Sequence, residues 1–142
     1  MPPETCQAPE RRIGIGIDVG GTTFTVCAVE RGGARITDST APIPATDDPS
    51  EMIARIAAAA AHLMTAVVQT HGAPITGIGV GVPGTVSPDL QTVIDCPNLT
   101  VLNGLAVPEM LSARFGLPAF LHNDAYCAAL GELRYGAGRG HR

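Results

Sequence analysis

Residues 13–29 read Ile-Gly-Ile-Gly-Ile-Asp-Val-Gly-Gly-Thr-Thr-Phe-Thr-Val-Cys-Ala-Val, and this stretch decides the fold. Ile13, Ile15, Ile17 and Val19 alternate with Gly14, Gly16 and Asp18. That is the period of two a β-strand imposes, because its successive side chains point to opposite faces. Gly20-Gly21 breaks the alternation and Phe24 to Val29 resumes a β-rich run, which predicts two strands joined by a short Gly-rich hairpin. Arg31-Gly32-Gly33 is the next turn signal, and Ala34 to Ser39 reads as a third strand. The chain opens as an antiparallel meander.

Beyond the meander the period changes to that of a helix. Asp48 is an N-cap, Pro49 suits the first helical position, and Glu51 completes an Asp-x-x-Glu capping box. Met52, Ile53, Ile56, Leu63, Met64 and Val67 recur at spacings of three and four, and Gly72 ends the run. Ile75 to Val82 is a strand closing on Pro83-Gly84, and a short strand pair follows around Val86 and Val93-Ile94. Pro108 begins a helix that runs to Phe115 and stops at Gly116. Pro118 to Leu121 is a strand, and a last helix spans about Ala125 to Tyr135. The order βββ-α-β-α-β-α predicts an α/β domain: a mixed five-stranded sheet flanked by helices, with strand ends lining a crevice at one edge.

Composition narrows the class. A chain of 142 residues is one domain in size; 45% hydrophobic content supports a core, and 15% charged residues is too few for disorder. With no Trp and 4% aromatics, the interior is built from Val, Ile, Leu and Ala, a palette that suits strands buried on both faces. A net charge of −4 without a Lys/Arg stripe argues against nucleic acid. Residues 1–12, with Pro2, Pro3, Glu4, Pro9 and Glu10, read as a flexible tail that lacks the apolar segment of a signal peptide. Ile56 to Val68, interrupted by His62, falls short of the roughly 20 residues that span a bilayer. The expectation is a cytoplasmic protein with no membrane partner. Cys6, Cys27, Cys96 and Cys127 stand far apart with no CxxC pair, so no zinc is expected.

Three places could carry chemistry. At Asp18-Val19-Gly20-Gly21-Thr22-Thr23, adjacent glycines let backbone N–H groups approach an oxyanion and the threonines add hydroxyls. Asp18 there could hold Mg²⁺ through water. A plain Gly-Gly hairpin accounts for the same residues equally well. No Lys follows, so it is not a P-loop. Gly79-Val80-Gly81-Val82-Pro83-Gly84 delivers backbone to a fixed place and alone is an ordinary strand that turns. At His122-Asn123-Asp124-Ala125, Asp124 stands where an N-cap would stand, and could equally be a general base with Asn123 beside it to bond hydroxyls.

Together these pieces form an ordered series: Asp18-x-Gly20-Gly21-Thr22, Gly79-x-Gly81-x-Pro83-Gly84, Pro97-Asn98-Leu99, and Asn123-Asp124-Ala125 followed by Ala128-Ala129-Leu130-Gly131-Glu132. The series resembles the ROK family (repressor, open reading frame, kinase), which includes bacterial glucokinases and N-acetylmannosamine kinases. The likeness covers about residues 13 to 140. It implies a ribonuclease-H-like fold of the actin-like ATPase superfamily. Residues 13–142 would be the N-terminal domain of a hexose kinase that moves the ATP γ-phosphoryl group to a sugar hydroxyl.

In that resemblance Asp124 is the catalytic base, and Gly84, Asn98, Asn123 and Asp124 face the sugar. Gly20, Gly21, Thr22 and Thr23 hold ATP phosphate, and Asp18 organises Mg²⁺ through water. Thr23 stands where many relatives carry Lys, and Leu102 near where many have Trp. Family kinases continue into a second domain with another phosphate loop, an adenine pocket, and a Glu and a His that hold the sugar. None of these follows Arg142, so the chain alone is expected to be inactive, and a homodimer is left open for the full-length protein. The alternative is a non-catalytic sugar-binding remnant, or the sugar-sensing domain of a ROK-type transcriptional regulator. The twelve residues before Ile13 are too few for the regulator's helix-turn-helix.

Overall fold

The structure, a computed structural model, describes residues 11–141. The tail expected over residues 1–12 lies, for residues 1–10, outside the described residues, as does Cys6. The elements are β1 (Ile13–Val19), β2 (Thr23–Glu30), β3 (Arg35–Pro42), α1 (Pro49–His71), β4 (Ile75–Val82), β5 (Thr85–Val86), β6 (Val93–Asp95), a 3-10 turn (Thr100–Leu102), α2 (Val107–Phe115), β7 (Ala119–Asn123) and α3 (Asp124–Tyr135).

The main sheet has the order β3-β2-β1-β4-β7. β1, β2 and β3 pair antiparallel, while β4 runs parallel to β1 and β7 parallel to β4. β5 and β6 form a separate two-stranded ladder. This is the mixed five-stranded α/β sheet that the element order predicts.

Alternation along β1 sets the core. Ile13, Ile15, Ile17 and Val19 are buried, whereas Gly14 and Gly16 are half-buried and Asp18 is exposed on the opposite face. On the inner face Ile17, Val19, Val80 and Val82 meet Ile53 and Ile56 of α1 and Val107 and Leu111 of α2. Each large aliphatic side chain so buried contributes about 1.5–3 kcal/mol over its exposed state. Ala57 and Ala60 are fully buried and let α1 lie close to the sheet. On the other face the positions are Gly14, Gly16, Asp18, Thr25, Cys27, Gly79, Phe120 and His122, small or polar, and α3 buries none of its residues. Among the described residues the sheet has an apolar cover on one face, so the expectation of burial on both faces is corrected. The Val/Ile content comes from one side of each strand.

Asp48 caps α1 by accepting from Ser50 N at 2.8 Å, and Gly72 ends it at φ 62°. The capping box is different from the one expected. Glu51 does not reach the Asp48 N–H; that amide donates to Thr46 Oγ1 at 3.1 Å, and the Thr46 hydroxyl donates to Glu51 Oε2 at 2.7 Å. An inserted hydroxyl thus links the two ends of the box, while Arg55 holds the other Glu51 oxygen. At 23 residues α1 is also longer than the apolar stretch suggested, and by length and composition it could cross a membrane. Its apolar stripe is turned onto the sheet instead.

β3 extends to Pro42 because the β2 ladder continues to pair Thr23 with Pro42, and Pro42 lacks the N–H to go further. β7 runs through His122 and Asn123 because β4 pairs as far as Val82 with Asn123. These polar residues read as a turn in isolation, and the neighbouring strand overrides that preference.

Candidate active site

The parallel strands β1, β4 and β7 end at the same edge of the sheet. In open α/β sheets ligands bind outside these carboxyl ends. Three connections meet there: the β1–β2 hairpin, the Pro83-Gly84 turn after β4, and the direct passage from β7 into α3.

Asp18 and Asp124 come together across Gly81. Parallel pairing sets Asp18 beside Gly81. A Cβ built on Gly81 would lie 3.4 Å from Asp124 Cα, 3.7 Å from Asp124 Cβ and 3.7 Å from Asp18 Oδ1. The two carboxylates therefore flank one small space above a glycine in mid-sheet. Cys127, one turn along α3, senses them: partial burial first, then the negative charges of Asp18 and Asp124, push its thiol up.

The structure assigns the helix cap differently from the sequence. Asn123 is the N-cap of α3, its Oδ1 accepting from Tyr126 N at 3.1 Å, and Asp124 is the first helical residue. Asp124 Oδ1 accepts from Ala125 N at 2.7 Å. Asn123 Nδ2 donates to Gly84 O at 3.1 Å, which ties the turn after β4 to the start of α3. Most of the Asn123 side chain is thus engaged in holding the frame. Asp124 is relieved of the capping role.

Gly84 has a packing reason to be glycine, since a Cβ there would overlap the Asp95 carbonyl oxygen. Cys96, buried behind it, donates its thiol to Pro83 O at 3.6 Å and its N–H to Asn103 Oδ1 at 2.8 Å. Burial pushes the Cys96 thiol up.

In the hairpin, Gly20 N donates to Thr23 O at 2.8 Å, so this amide closes the turn and does not face an anion. Gly21, Thr22 and Thr23 are exposed. A Cβ on Gly21 would lie 3.6 Å from Asn98 Cβ, which places Asn98 against the hairpin. Asn98 lines a depression of about 430 Å³ with Pro44 to Asp47, Met52 and Leu99 to Val101. That depression shares no residue with the groove of about 910 Å³ that holds Asp18, Gly81 and Asp124 under α3. The residues singled out from sequence therefore fall into two neighbouring clusters separated by the hairpin.

Sequence reasoning missed two features. The His122 ring stacks on Tyr126, with centroids 3.7 Å apart and planes at 7°, and His122 Nδ1 accepts from Asn123 N at 2.8 Å. The i,i+4 spacing from strand end to first helical turn was the available signal. Gly81 was noticed only as part of a glycine motif, because nothing local shows which side chains flank it. Among the described residues no group of three or more His, Cys, Asp or Glu is gathered as for a metal.

Comparison with known proteins places this arrangement. The chain is 34% identical to the glucokinase of Streptomyces coelicolor over 128 residues, which is 90% of this chain and 38% of that protein. It superposes on the crystal structure of a ROK family glucokinase from Streptomyces griseus in complex with glucose and AMPPNP with a TM-score of 0.77 and 29% identity, covering 91% of this chain and 38% of that one. A shorter match, 39% over 62 residues, joins it to the xylose repressor of Caldicellulosiruptor bescii, covering 44% of this chain and 15% of that protein. The chain spans about two-fifths of the length of the glucokinases it matches. Its fold is that of the actin-like ATPase superfamily kinases. The profile of the ROK family matches residues 14–142, and the chain belongs to that family.

Proposed function

We propose that this chain is the N-terminal part of a cytoplasmic, ATP-dependent hexose kinase that transfers the γ-phosphoryl group to a sugar hydroxyl. The observation that carries it is the meeting of Asp18 and Asp124 across Gly81, at the carboxyl edge of the sheet and beside the exposed Gly21-Thr22 hairpin. Its relatives with the greatest coverage are glucokinases.

Phosphoryl transfer depends on positioning and on charge neutralisation more than on covalent chemistry. Asp124 orients the attacking hydroxyl and takes its proton as the oxygen–phosphorus bond forms and the bond to ADP breaks. Its Oδ1 is steadied by Ala125 N, which leaves Oδ2 to face the sugar. Asn98 reaches the sugar from the hairpin side. Asn123 offers it one remaining N–H while fixing Gly84. Gly21, Thr22 and Thr23 present amides and hydroxyls to phosphate, with Gly20 shaping the turn. Asp18 and Asp124 are hard oxygen donors around a space that a Cβ would fill, and this chemistry fits Mg²⁺ held through its water shell. Mg²⁺, when bound, neutralises charge on the phosphates. The partners are thus a hexose and ATP with Mg²⁺, without nucleic acid or membrane.

A second reading, the sugar-sensing domain of a regulator, is favoured by the xylose repressor match alone. A coupled ADP-release assay of the full-length protein with glucose, mannose, N-acetylglucosamine and N-acetylmannosamine separates the two. Hexose-dependent turnover supports the kinase, whereas sugar binding without ADP release supports the regulator.

A further inference from the structure

We propose that Gly81 is a positioning residue that keeps the space between Asp18 and Asp124 open to a hydrated divalent cation. The proposal rests on the kinase reading only in taking that cation to be Mg²⁺.

Glycine at this position is required by neither backbone nor packing. Gly81 does not have the positive φ of Gly33, Gly72, Gly104, Gly116 and Gly140, so an L-residue fits its backbone. Its nearest neighbour to an added Cβ is Asp124 Cα at 3.4 Å, an ordinary van der Waals contact. Gly84 contrasts with it, because a Cβ there overlaps the Asp95 carbonyl. Gly81 also sits within a regular parallel ladder, paired with Asp18 on one side and His122 on the other. Alanine is intrinsically no worse than glycine in a strand interior, since glycine loses more conformational freedom on folding.

What alanine would change is the space itself. Its methyl group would stand 3.7 Å from both Asp18 Oδ1 and Asp124 Cβ, between the two acidic side chains. Mg²⁺ gives up its waters reluctantly and keeps several when bound by one or two carboxylates. A methyl group in that place displaces water it cannot replace by hydrogen bonds, and it offers the cation nothing. Gly81 thus acts through Asp18 and Asp124 without touching substrate.

The test uses the 142-residue chain, with Mn²⁺ as a paramagnetic probe in place of Mg²⁺. Amide spectra are recorded through a Mn²⁺ titration for the wild type, Gly81→Ala, Asp18→Asn and Asp124→Asn, with thermal melts alongside. The wild type is expected to show broadening centred on Asp18, Gly81 and Ala125. Gly81→Ala is expected to melt no lower than the wild type yet bind Mn²⁺ roughly 10–100-fold more weakly, the usual effect of disturbing the surroundings of a metal site. Each Asn variant is expected to lose the localised broadening. If Gly81→Ala binds Mn²⁺ as the wild type does, the inference falls and the kinase reading stands. If the wild type shows no localised broadening, the inference also falls, and hexose-dependent ADP release still judges the kinase reading separately. Loss of the folded spectrum in Gly81→Ala would overturn it too, by showing that the fold itself requires glycine.

Discussion

Replacing Asn123 with alanine removes the one side chain that joins two of the three connections at the site. Two hydrogen bonds are lost: Asn123 Oδ1 from Tyr126 N, at 3.1 Å, and Asn123 Nδ2 to Gly84 O, also at 3.1 Å. Loss of an N-cap costs about 0.5–2 kcal/mol. Leaving the half-buried Gly84 carbonyl without its partner adds about 0.5–1.5 kcal/mol, because the bond is exchanged only partly for water. The sum centres on about 2 kcal/mol, which lowers Tm by about 4–8 °C in a domain of this length. Asn123→Asp separates the two contributions. It restores the cap acceptor and places negative charge at a helix N-terminus, but it cannot donate to Gly84 and it sets a second carboxylate beside Asp124. It should recover roughly half of the loss. Urea unfolding of the 142-residue chain, followed by far-ultraviolet circular dichroism, measures both variants. An Asn123→Ala change smaller than about 0.5 kcal/mol, the usual effect of a surface substitution, would refute the frame described here. So would an Asn123→Asp variant as unstable as Asn123→Ala, which would show that the cap contributes nothing.

Thr46 makes a prediction about pH. Its hydroxyl first, and Arg55 second, hold the Glu51 carboxyl below its usual 4.5. A carboxyl lowered by folding stabilises the protein above its unfolded value, and that stability is lost as pH falls through the folded one. Thr46→Val should therefore flatten the fall of Tm with acid below pH 4.5, and an unchanged slope would argue against the relay. Elemental analysis of chelator-washed protein should find well under one zinc per chain, since close Cys/His spacing is absent from the sequence. A stoichiometric zinc would contradict that reading of the cysteines. Residues 1–142 alone should show no hexose-dependent ADP release, because alignment of reactants supplies about 7–11 kcal/mol of barrier lowering and this chain matches 38% of a glucokinase. Robust turnover by the 142-residue chain would contradict it.

Much of the fold was legible because single residues carry it. The Ile/Gly alternation of residues 13–19 gave β1 its register and its inner face, and Asp48, Pro49, Gly72 and Gly116 mark helix ends through backbone constraints that are local in sequence. Tertiary context decided the rest. β7 reaches Asn123 because β4 is beside it, and that shift of two residues moves the cap from Asp124 to Asn123. The Glu51 box was misread because the hydroxyl that completes it, Thr46, precedes the motif. At the site, sequence order brought out Asp18, Asn98, Asn123 and Asp124. That Asp18 and Asp124 meet over Gly81, while Asn98 lies with Gly21 and the loop after β3, follows from strand pairing between residues more than sixty apart.

The central claim is that Asp124 takes the proton from the sugar hydroxyl, and one measurement addresses it most directly: kcat and sugar affinity of Asp124→Asn in the full-length protein. Asn keeps the shape and the oxygen that accepts from Ala125 N but cannot act as a base at neutral pH. General-base contributions run to roughly 10²–10⁴-fold, so kcat should fall by that factor while hexose still binds. A variant that keeps most of its kcat would contradict the account and remove Asp124 from the chemistry.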